Sequence, residues 1–199
     1  MKYVDPDGKK IKLNGTKEEQ VELLKMINTY SKTKFGLDEN GYLYDTGKTN
    51  KSIASNRKSR LYAFKLLSAI EETSCTIVIS LSEEHKNKDG EIIYNSTSEQ
   101  AGGGATTWYQ DDSSIINVTI SPYGSEKSIN PIYMKSDDTV YALEFPSIMN
   151  SEEVLIHELI GHAIPILEKW NGNAINLENA VREELKLFKR KEDQNHVCY

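Results

Sequence analysis

The segment HELIGH, residues 157–162, contains two histidines and a glutamate, the side chains from which zinc-dependent hydrolases build an active site. Neutral imidazoles bind zinc well, and a catalytic zinc keeps one position open for water beside three protein ligands. A nearby carboxylate can accept the proton of that water, because the metal lowers its pKa towards neutrality. The segment therefore predicts a zinc site with His157 and His162 as ligands and Glu158 as the general base.

The spacing of the histidines is one residue longer than the usual i and i+4 pair of a zinc-binding helix. His157 and His162 lie at i and i+5, which places them about 140° apart around a regular helix. A π-helical bulge absorbs one extra residue. Gly161 permits the distortion, and Pro165 lacks the N–H that would bond the Gly161 carbonyl. We therefore predict a bulge. In the alternative, the helix is regular, Glu158 and His162 are the ligands, and His157 faces away.

A third ligand is expected from the following helix, whose segment NAINLENAVREEL contains three glutamates. Asn176 is predicted to cap this helix, so that Glu178 falls in its first turn, beside the zinc helix. Glu178 can also pair with Arg182 at i+4. Glu183 and Glu184 resemble the solvated charges of an amphipathic helix. Glu178 is therefore the predicted ligand, and the other two remain alternatives.

The elements that position these residues follow from hydrophobic periodicity and turn residues. A helix capped by Thr16, with Glu19 as the partner in a capping box, is predicted over 16–32. Asn40-Gly41 predicts a hairpin. The remaining predictions are a helix over 58–72, strands over 76–81, 90–95, 102–110 and 114–122, a helix from the cap Asn150 to about 170, and the final helix. This order is typical of an α+β domain.

Three further expectations concern the periphery of this domain. Residues 1–15 are polar and turn-rich and are predicted to be a tail, with a single domain over 16–199. Residues 123–148 are predicted to be an irregular loop in which TVYALEF could add a strand. The helix over 58–72 is predicted to direct one apolar stripe inward, formed by Leu61, Phe64, Leu67 and Ile70.

Composition excludes several classes of protein. The 199 residues are 38% hydrophobic and 27% charged, as in ordinary globular domains. The net charge of −6 argues against nucleic acid or an anionic membrane as the main partner. No apolar run reaches the roughly 18 residues of a membrane span, and the start MKYVDPDGKK lacks the apolar core of a signal peptide. Two cysteines do not make a disulfide framework.

The motif HELIGH resembles the His-Glu-x-x-Gly-His motif of the dipeptidyl peptidase III family, zinc peptidases with the same extra residue and glycine. The resemblance covers the motif alone. In that family the two histidines and a downstream glutamate bind zinc, and the glutamate of the motif is the base. By position, this implies His157 and His162 as ligands and Glu158 as the base.

A second resemblance covers most of the chain. YVDPDGK at 3–9 is similar to the segment that closes the core of Rhs-repeat polymorphic toxins, directly before the variable C-terminal toxin. The remainder resembles the zincin metallopeptidase toxins found there, through GGGATTW, INVTISP, the HEL-GHA helix and ENAVREEL. The glutamate of EN is the third ligand in such domains, which implies Glu178. The chain departs from the commoner HELGH by the inserted Ile160.

These resemblances imply a zincin-like α+β fold, with a small antiparallel or mixed sheet, an active-site helix and flanking helices. They imply a zinc-dependent metalloendopeptidase, secreted or delivered into a target cell as part of a larger toxin, with residues 1–15 as the remnant of the Rhs core junction. Expected partners are a protein substrate and a cognate immunity protein, without nucleic acid or membrane. An edge strand within 102–108 is expected to hold the substrate backbone.

Two alternatives to this function remain open. The domain could be a metal-binding hydrolase of another bond, or a non-enzymatic binding domain in which the histidine helix is structural. The group that stabilises the substrate oxyanion also remains open, with Arg182, His196 and several tyrosines as candidates.

Overall fold

The computed structural model of the chain describes residues 11–51, 57–71, 75–87, 89–108, 115–125, 132–134, 140–142, 149–170, 172–187 and 189–190. These residues form an α+β fold with a small mixed sheet and several helices. The helices are α1 (Lys17–Tyr30), α2 (Arg60–Glu71), α3 (Thr97–Gln100), α4 (Ser151–Ile156), α5 (Ile164–Leu167) and α6 (Ala174–Glu184), with a π-helical segment at His157–Ala163. The strands are β1 (Ile11–Leu13), β2 (Thr33–Leu37), β3 (Leu43–Thr49), β4 (Thr76–Leu81), β5 (His85–Lys86), β6 (Ile92–Tyr94), β7 (Gly104–Trp108), β8 (Ile115–Ile120), β9 (Ile132–Met134), β10 (Val140–Ala142) and β11 (Lys189–Arg190).

The central sheet has the order β1-β4-β8-β7. β1, β4 and β8 are parallel, and β7 pairs antiparallel with β8 at the edge. Alternate side chains of a strand point to opposite faces, and Ile77, Ile79, Ile116, Val118 and Ile120 are buried on the face that α4 and the π segment share with the core. α4 and the π segment therefore pack against β8 of this sheet, and β7 also contacts the π segment.

β1 corrects the prediction that residues 1–15 are a tail. Ile11 and Leu13 are fully buried, and β1 pairs with β4. Three residues are too few for a periodic signal, and this strand depends on a partner far along the chain, so local sequence does not reveal it. Residues 1–10, which include YVDPDGK, lie outside the described residues. None of the described helices is both long and apolar enough to cross a membrane.

The start of α1 and the first hairpin confirm the predictions from local sequence. Thr16 and Glu19 form a complete capping box: the Thr16 hydroxyl accepts from the Glu19 amide, and the Glu19 carboxylate accepts from the Thr16 amide. β2 and β3 pair antiparallel around Gly41, whose φ of +83° is a left-handed conformation that suits glycine. Both features depend on contacts within a few residues, which a short stretch of sequence encodes.

The apolar stripe of α2 is rotated from the predicted one. Phe64 is 64% exposed, and the buried residues of this helix are Tyr62, Ala63, Leu66 and Ala69. Leu61, Leu67 and Ile70 are only partly buried at the rim of the core. Apolar residues cover a wide arc of this helix, so periodicity alone does not identify the innermost line. α2 packs against α5 and α6, and this tertiary packing decides which line of the helix is buried.

Two smaller differences involve the region around the last helix. α6 begins at Ala174 and is capped by Asn173, whose side chain accepts from the Ile175 amide at 2.8 Å, rather than by the predicted Asn176. The strand predicted in TVYALEF is β10, but the sequence did not predict its neighbours β9 and β11. β10 and β11 both pair with β9 and form one three-stranded sheet. This pairing brings residues 189–190 back towards the HELIGH helix.

Candidate metal centre

The HELIGH segment is π-helical. α4 begins at the predicted cap Asn150, whose side chain accepts from the Glu153 amide. The π segment then runs from His157 to Ala163, and the Ile164 amide donates to the Leu159 carbonyl, five residues back. The predicted bulge is therefore confirmed, and the alternative of a regular helix is wrong.

Gly161 has a second role that the sequence did not predict. A Cβ added there would lie 3.2 Å from the Cβ of Ala174 and 3.5 Å from the Ala174 carbonyl oxygen. Contacts near 3.2 Å are tighter than ordinary van der Waals contacts, so the glycine also lets α6 cross close to the π segment. This close crossing brings the second turn of α6, with Glu178, to the level of His157.

The bulge brings the two imidazoles together. The Nε2 atoms of His157 and His162 are 3.3 Å apart, with the rings nearly perpendicular. Two nitrogens that bind one tetrahedral zinc at about 2.0–2.1 Å lie about 3.3–3.4 Å apart. The separation of the two Nε2 atoms therefore matches that of a pair of zinc ligands. Among the described residues, these two histidines and Glu158 are the group that could hold a metal ion.

Both imidazoles are in the uncharged form that binds metals. Burial lowers the pKa of His157 to about 3 and that of His162 to about 4. Glu178 opposes the shift in both cases, and Arg190 adds to it. The 2.7 Å contact between Nδ1 of His157 and the Glu178 carboxylate is accordingly a hydrogen bond from a neutral ring.

The side chain of Glu158 extends from the π segment to the edge strand β7. The Thr106 hydroxyl donates to its Oε2 at 2.6 Å, and a Cβ added to Gly104 would lie 2.6 Å from its Cγ. Glycine at 104 thus makes room for the carboxylate against the strand. Burial raises the pKa of Glu158 to about 7, although the Thr106 hydroxyl and the Arg190 guanidinium oppose the rise. A base with a pKa near neutrality is well suited to take and return a proton.

Glu178 reaches the site, but on the other side of the His157 ring from Nε2. Its Oε2 accepts from Nδ1 of His157 and from Nη1 of Arg190, the latter at 3.0 Å, and its Oε1 accepts from Nε of Arg182. The side chain is fully buried. Burial by itself would raise the pKa of this carboxyl, but the N–H of His157 and the two guanidinium groups hold it well below its usual range.

The other predicted candidates are placed as follows. Glu184 caps the start of α2: its carboxylate accepts from the Ser59 hydroxyl and from the amides of Arg60 and Leu61. Glu183 is an exposed partner of Lys189. Neither joins the histidine cluster.

The candidates for the oxyanion-stabilising group are also accounted for. Arg182 is held in ion pairs with Glu178 and Glu153. His196 lies outside the described residues. Among the tyrosines that the structure describes, Tyr94 lines the same cleft as the histidines.

Arg190 is a site residue that the sequence did not predict. It is only 3% exposed, and its guanidinium lies beside Glu178 and 3.0 Å from Nδ1 of His157. In sequence it belongs to the basic run KRK near the C-terminus, which looks like a solvated tail. The side chain of Asn179 in α6 bonds the backbone of Arg190 in β11. The position of Arg190 in the site depends on this tertiary contact and could not be inferred from local sequence.

These groups line one cleft of about 310 Å³. The lining includes residues 104–107 of β7, the side chains of the cluster His157, Glu158 and His162, and Ile93 and Tyr94 of β6. An edge strand of the central sheet and the histidine cluster therefore line the same cleft. In comparisons with protein families, curated proteins and solved structures, no match to the chain was found.

Proposed function

We propose that the protein is a zinc-dependent metallopeptidase. The observation that carries the proposal is the π segment, which places the Nε2 atoms of His157 and His162 at the separation of two zinc ligands, with Glu158 in the same cluster. A π-helical segment often occurs at functional sites, and three ionisable groups meet in one cleft. The zincin-like fold implied by the sequence resemblance is part of the same proposal.

His157 and His162 would hold the ion through Nε2, as two of the three protein ligands that a catalytic zinc usually has. A bound zinc lowers the pKa of a coordinated water and polarises a carbonyl oxygen. Glu158 takes the proton of the attacking water and returns it to the leaving amine, as a base with a pKa near neutrality can do. Thr106 keeps the Glu158 carboxylate pointed into the cleft through its 2.6 Å hydrogen bond.

The position of β7 favours a peptide as the substrate. It is an edge strand of the central sheet, and its residues 104–107 line the same cleft as the histidines. An extended peptide can add to such an edge through main-chain hydrogen bonds. A peptide bond held there would lie next to Glu158. This arrangement supports peptide hydrolysis over hydrolysis of another bond.

We expect the purified chain to cleave peptides in a zinc-dependent way. Incubation with a broad peptide library, followed by mass spectrometry, should give defined cleavage products, which disappear with a chelator and return on addition of zinc. Stoichiometric zinc without any peptide cleavage would instead support a hydrolase of another bond. A chain that binds no zinc even when zinc is supplied would support a non-enzymatic domain.

We further propose that this peptidase is a toxin delivered into a target cell, with a cognate immunity protein. The support is the sequence resemblance to Rhs-associated toxins. Expression of the chain in the target compartment should stop cell growth, and co-expression of the protein encoded just downstream should restore it. A harmless wild-type chain would contradict the toxin proposal and leave the peptidase proposal standing.

A further inference from the structure

We propose that Glu178 acts outside the metal's coordination sphere, as the residue that orients His157, and that strand β11 holds it in place through Arg190 and Asn179. This inference rests on the proposed zinc site and departs from the ligand role that the sequence resemblance implies for Glu178. Four residues at and around the site form one chain of hydrogen bonds: His157, Glu178, Arg190 and Asn179.

The first step is the state of the His157 ring. Nδ1 has two close neighbours, Oε2 of Glu178 at 2.7 Å and Nη1 of Arg190 at 3.0 Å. The carboxylate can only accept and the guanidinium can only donate, so Nδ1 bonds one of them. The shorter contact, to Glu178, places the ring proton on Nδ1, and Nη1 of Arg190 then donates to the Glu178 carboxylate instead. The lone pair of the ring then lies on Nε2, the atom that faces His162 at 3.3 Å. A metal-binding histidine commonly donates its other N–H to a carboxylate in this way, which fixes the tautomer and the ring orientation.

The second step is that both oxygens of Glu178 are already engaged. Oε1 accepts from Arg182 and Oε2 accepts from both Arg190 and His157, and all four side chains are buried. To bind an ion between the two Nε2 atoms, the carboxylate would have to leave these partners. Two buried guanidinium groups would then lose a counter-charge, which is strongly unfavourable. The observed contacts therefore support an orienting role.

The third step is the attachment of Arg190. The side-chain amide of Asn179 donates to the Arg190 carbonyl and accepts from the Arg190 amide, both at 2.7 Å. The amide thus pairs with the backbone of β11 as a neighbouring strand would. Consecutive residues of α6 hold Arg190 at both ends: Asn179 binds its backbone, and Glu178 binds its guanidinium. Arg190 therefore links the position of β11 to the orientation of His157.

The test is the zinc affinity of the purified full chain, measured by competition with a chromogenic chelator. We expect Glu178→Gln to weaken zinc binding by about 10–100-fold, the usual cost of losing a group that supports a ligand. Asn179→Ala should weaken it in the same direction without changing any buried charge. Combining the two should weaken it little beyond Glu178→Gln alone, because both act through one chain of contacts.

Glu183→Gln and Lys189→Met are matched controls, since they change an ion pair on the same helix and strand in which Glu183 is exposed and Lys189 is partly buried. Both should bind zinc as the wild type does. Circular dichroism in chelator checks that each variant folds, and Asn179→Ala tests the proposal even if Glu178→Gln does not fold.

A second readout separates an orienting residue from a ligand. With cobalt in place of zinc, the visible absorption spectrum reports the number and type of ligands. The Glu178→Gln spectrum should match that of the wild type once the protein is saturated. A changed spectrum would show that Glu178 is a ligand and overturn the proposal, as would wild-type zinc affinity in Asn179→Ala. A wild-type chain that binds no metal would overturn the proposed function itself.

Discussion

Glu158→Gln is expected to lower the rate of peptide hydrolysis by about 10²–10⁴-fold, the range that general acid–base catalysis contributes, while zinc binding stays close to that of the wild type. The amide cannot take a proton from the attacking water. It has nearly the same volume as the carboxylate, and its oxygen can still accept from the Thr106 hydroxyl. The measurement is the initial rate of peptide cleavage, together with the zinc content of the purified variant.

Glu71→Gln is a suitable control, because Glu71 is exposed at the end of α2, away from the cleft. It should cleave and bind zinc as the wild type does. If Glu158→Gln loses zinc together with activity, Glu158 is a ligand and not the base. Full activity in this variant would exclude both roles.

Gly104→Ala perturbs the same carboxylate from β7, and Gly36→Ala in β2 is its control. In Gly104→Ala the new Cβ would meet the buried Glu158 and Val154 side chains at 2.6–2.7 Å. Overpacking of this kind typically costs about 1–3 kcal/mol of stability, and it should displace Glu158 and slow cleavage. In Gly36→Ala the new Cβ would meet the ring of Tyr44, which is 42% exposed and can move aside. This control should retain activity.

His162→Ala is expected to abolish zinc binding and with it the stabilisation that zinc provides. At a zinc concentration about 1,000 times the dissociation constant, a single site stabilises the fold by about 4 kcal/mol. The wild type should therefore melt at a clearly higher temperature with zinc than with a chelator, and the variant should melt at the same temperature in both. Metal analysis of the purified variant measures occupancy directly.

His85→Asn is the histidine control for this experiment. His85 is buried, and its Nδ1 contacts the Thr119 hydroxyl at 2.8 Å. The amide of asparagine stands at the position of Nδ1 and can make the same contact. His85 is not part of the cluster at His157, so zinc binding should persist. Full zinc occupancy in His162→Ala would contradict the metal centre.

The site could be predicted from sequence where its geometry is local. A spacing of five positions from His157 to His162 requires a widened helix for the imidazoles to meet, because rotation per residue is fixed by the hydrogen bonding of the backbone. Gly161 and Pro165 are in the segment that has to change. The π segment could therefore be inferred without any knowledge of distant residues. The same holds for the capping box of Thr16 and Glu19.

The role of Glu178 could be inferred from the sequence only in part. Its proximity to the histidines could be inferred from a short connection and a neighbouring helix. Whether its oxygens face Nε2 or Nδ1 of His157 depends on where α6 starts and how it crosses the π segment. The cap at Asn173 and the contact of Ala174 with Gly161 decide both. These are packing contacts between helices, and the local pattern of charges does not predict them.

The sequence by itself therefore determined the α+β class, the widened helix and the three residues that meet in it. Only the tertiary structure decided that β1 belongs to the core, that Tyr62 and not Phe64 is buried, and that Arg190 stands beside His157. The physical reason is the range of the interactions. Helix geometry and caps depend on neighbours within a turn, whereas a buried ion pair or an added strand depends on residues that only folding brings together.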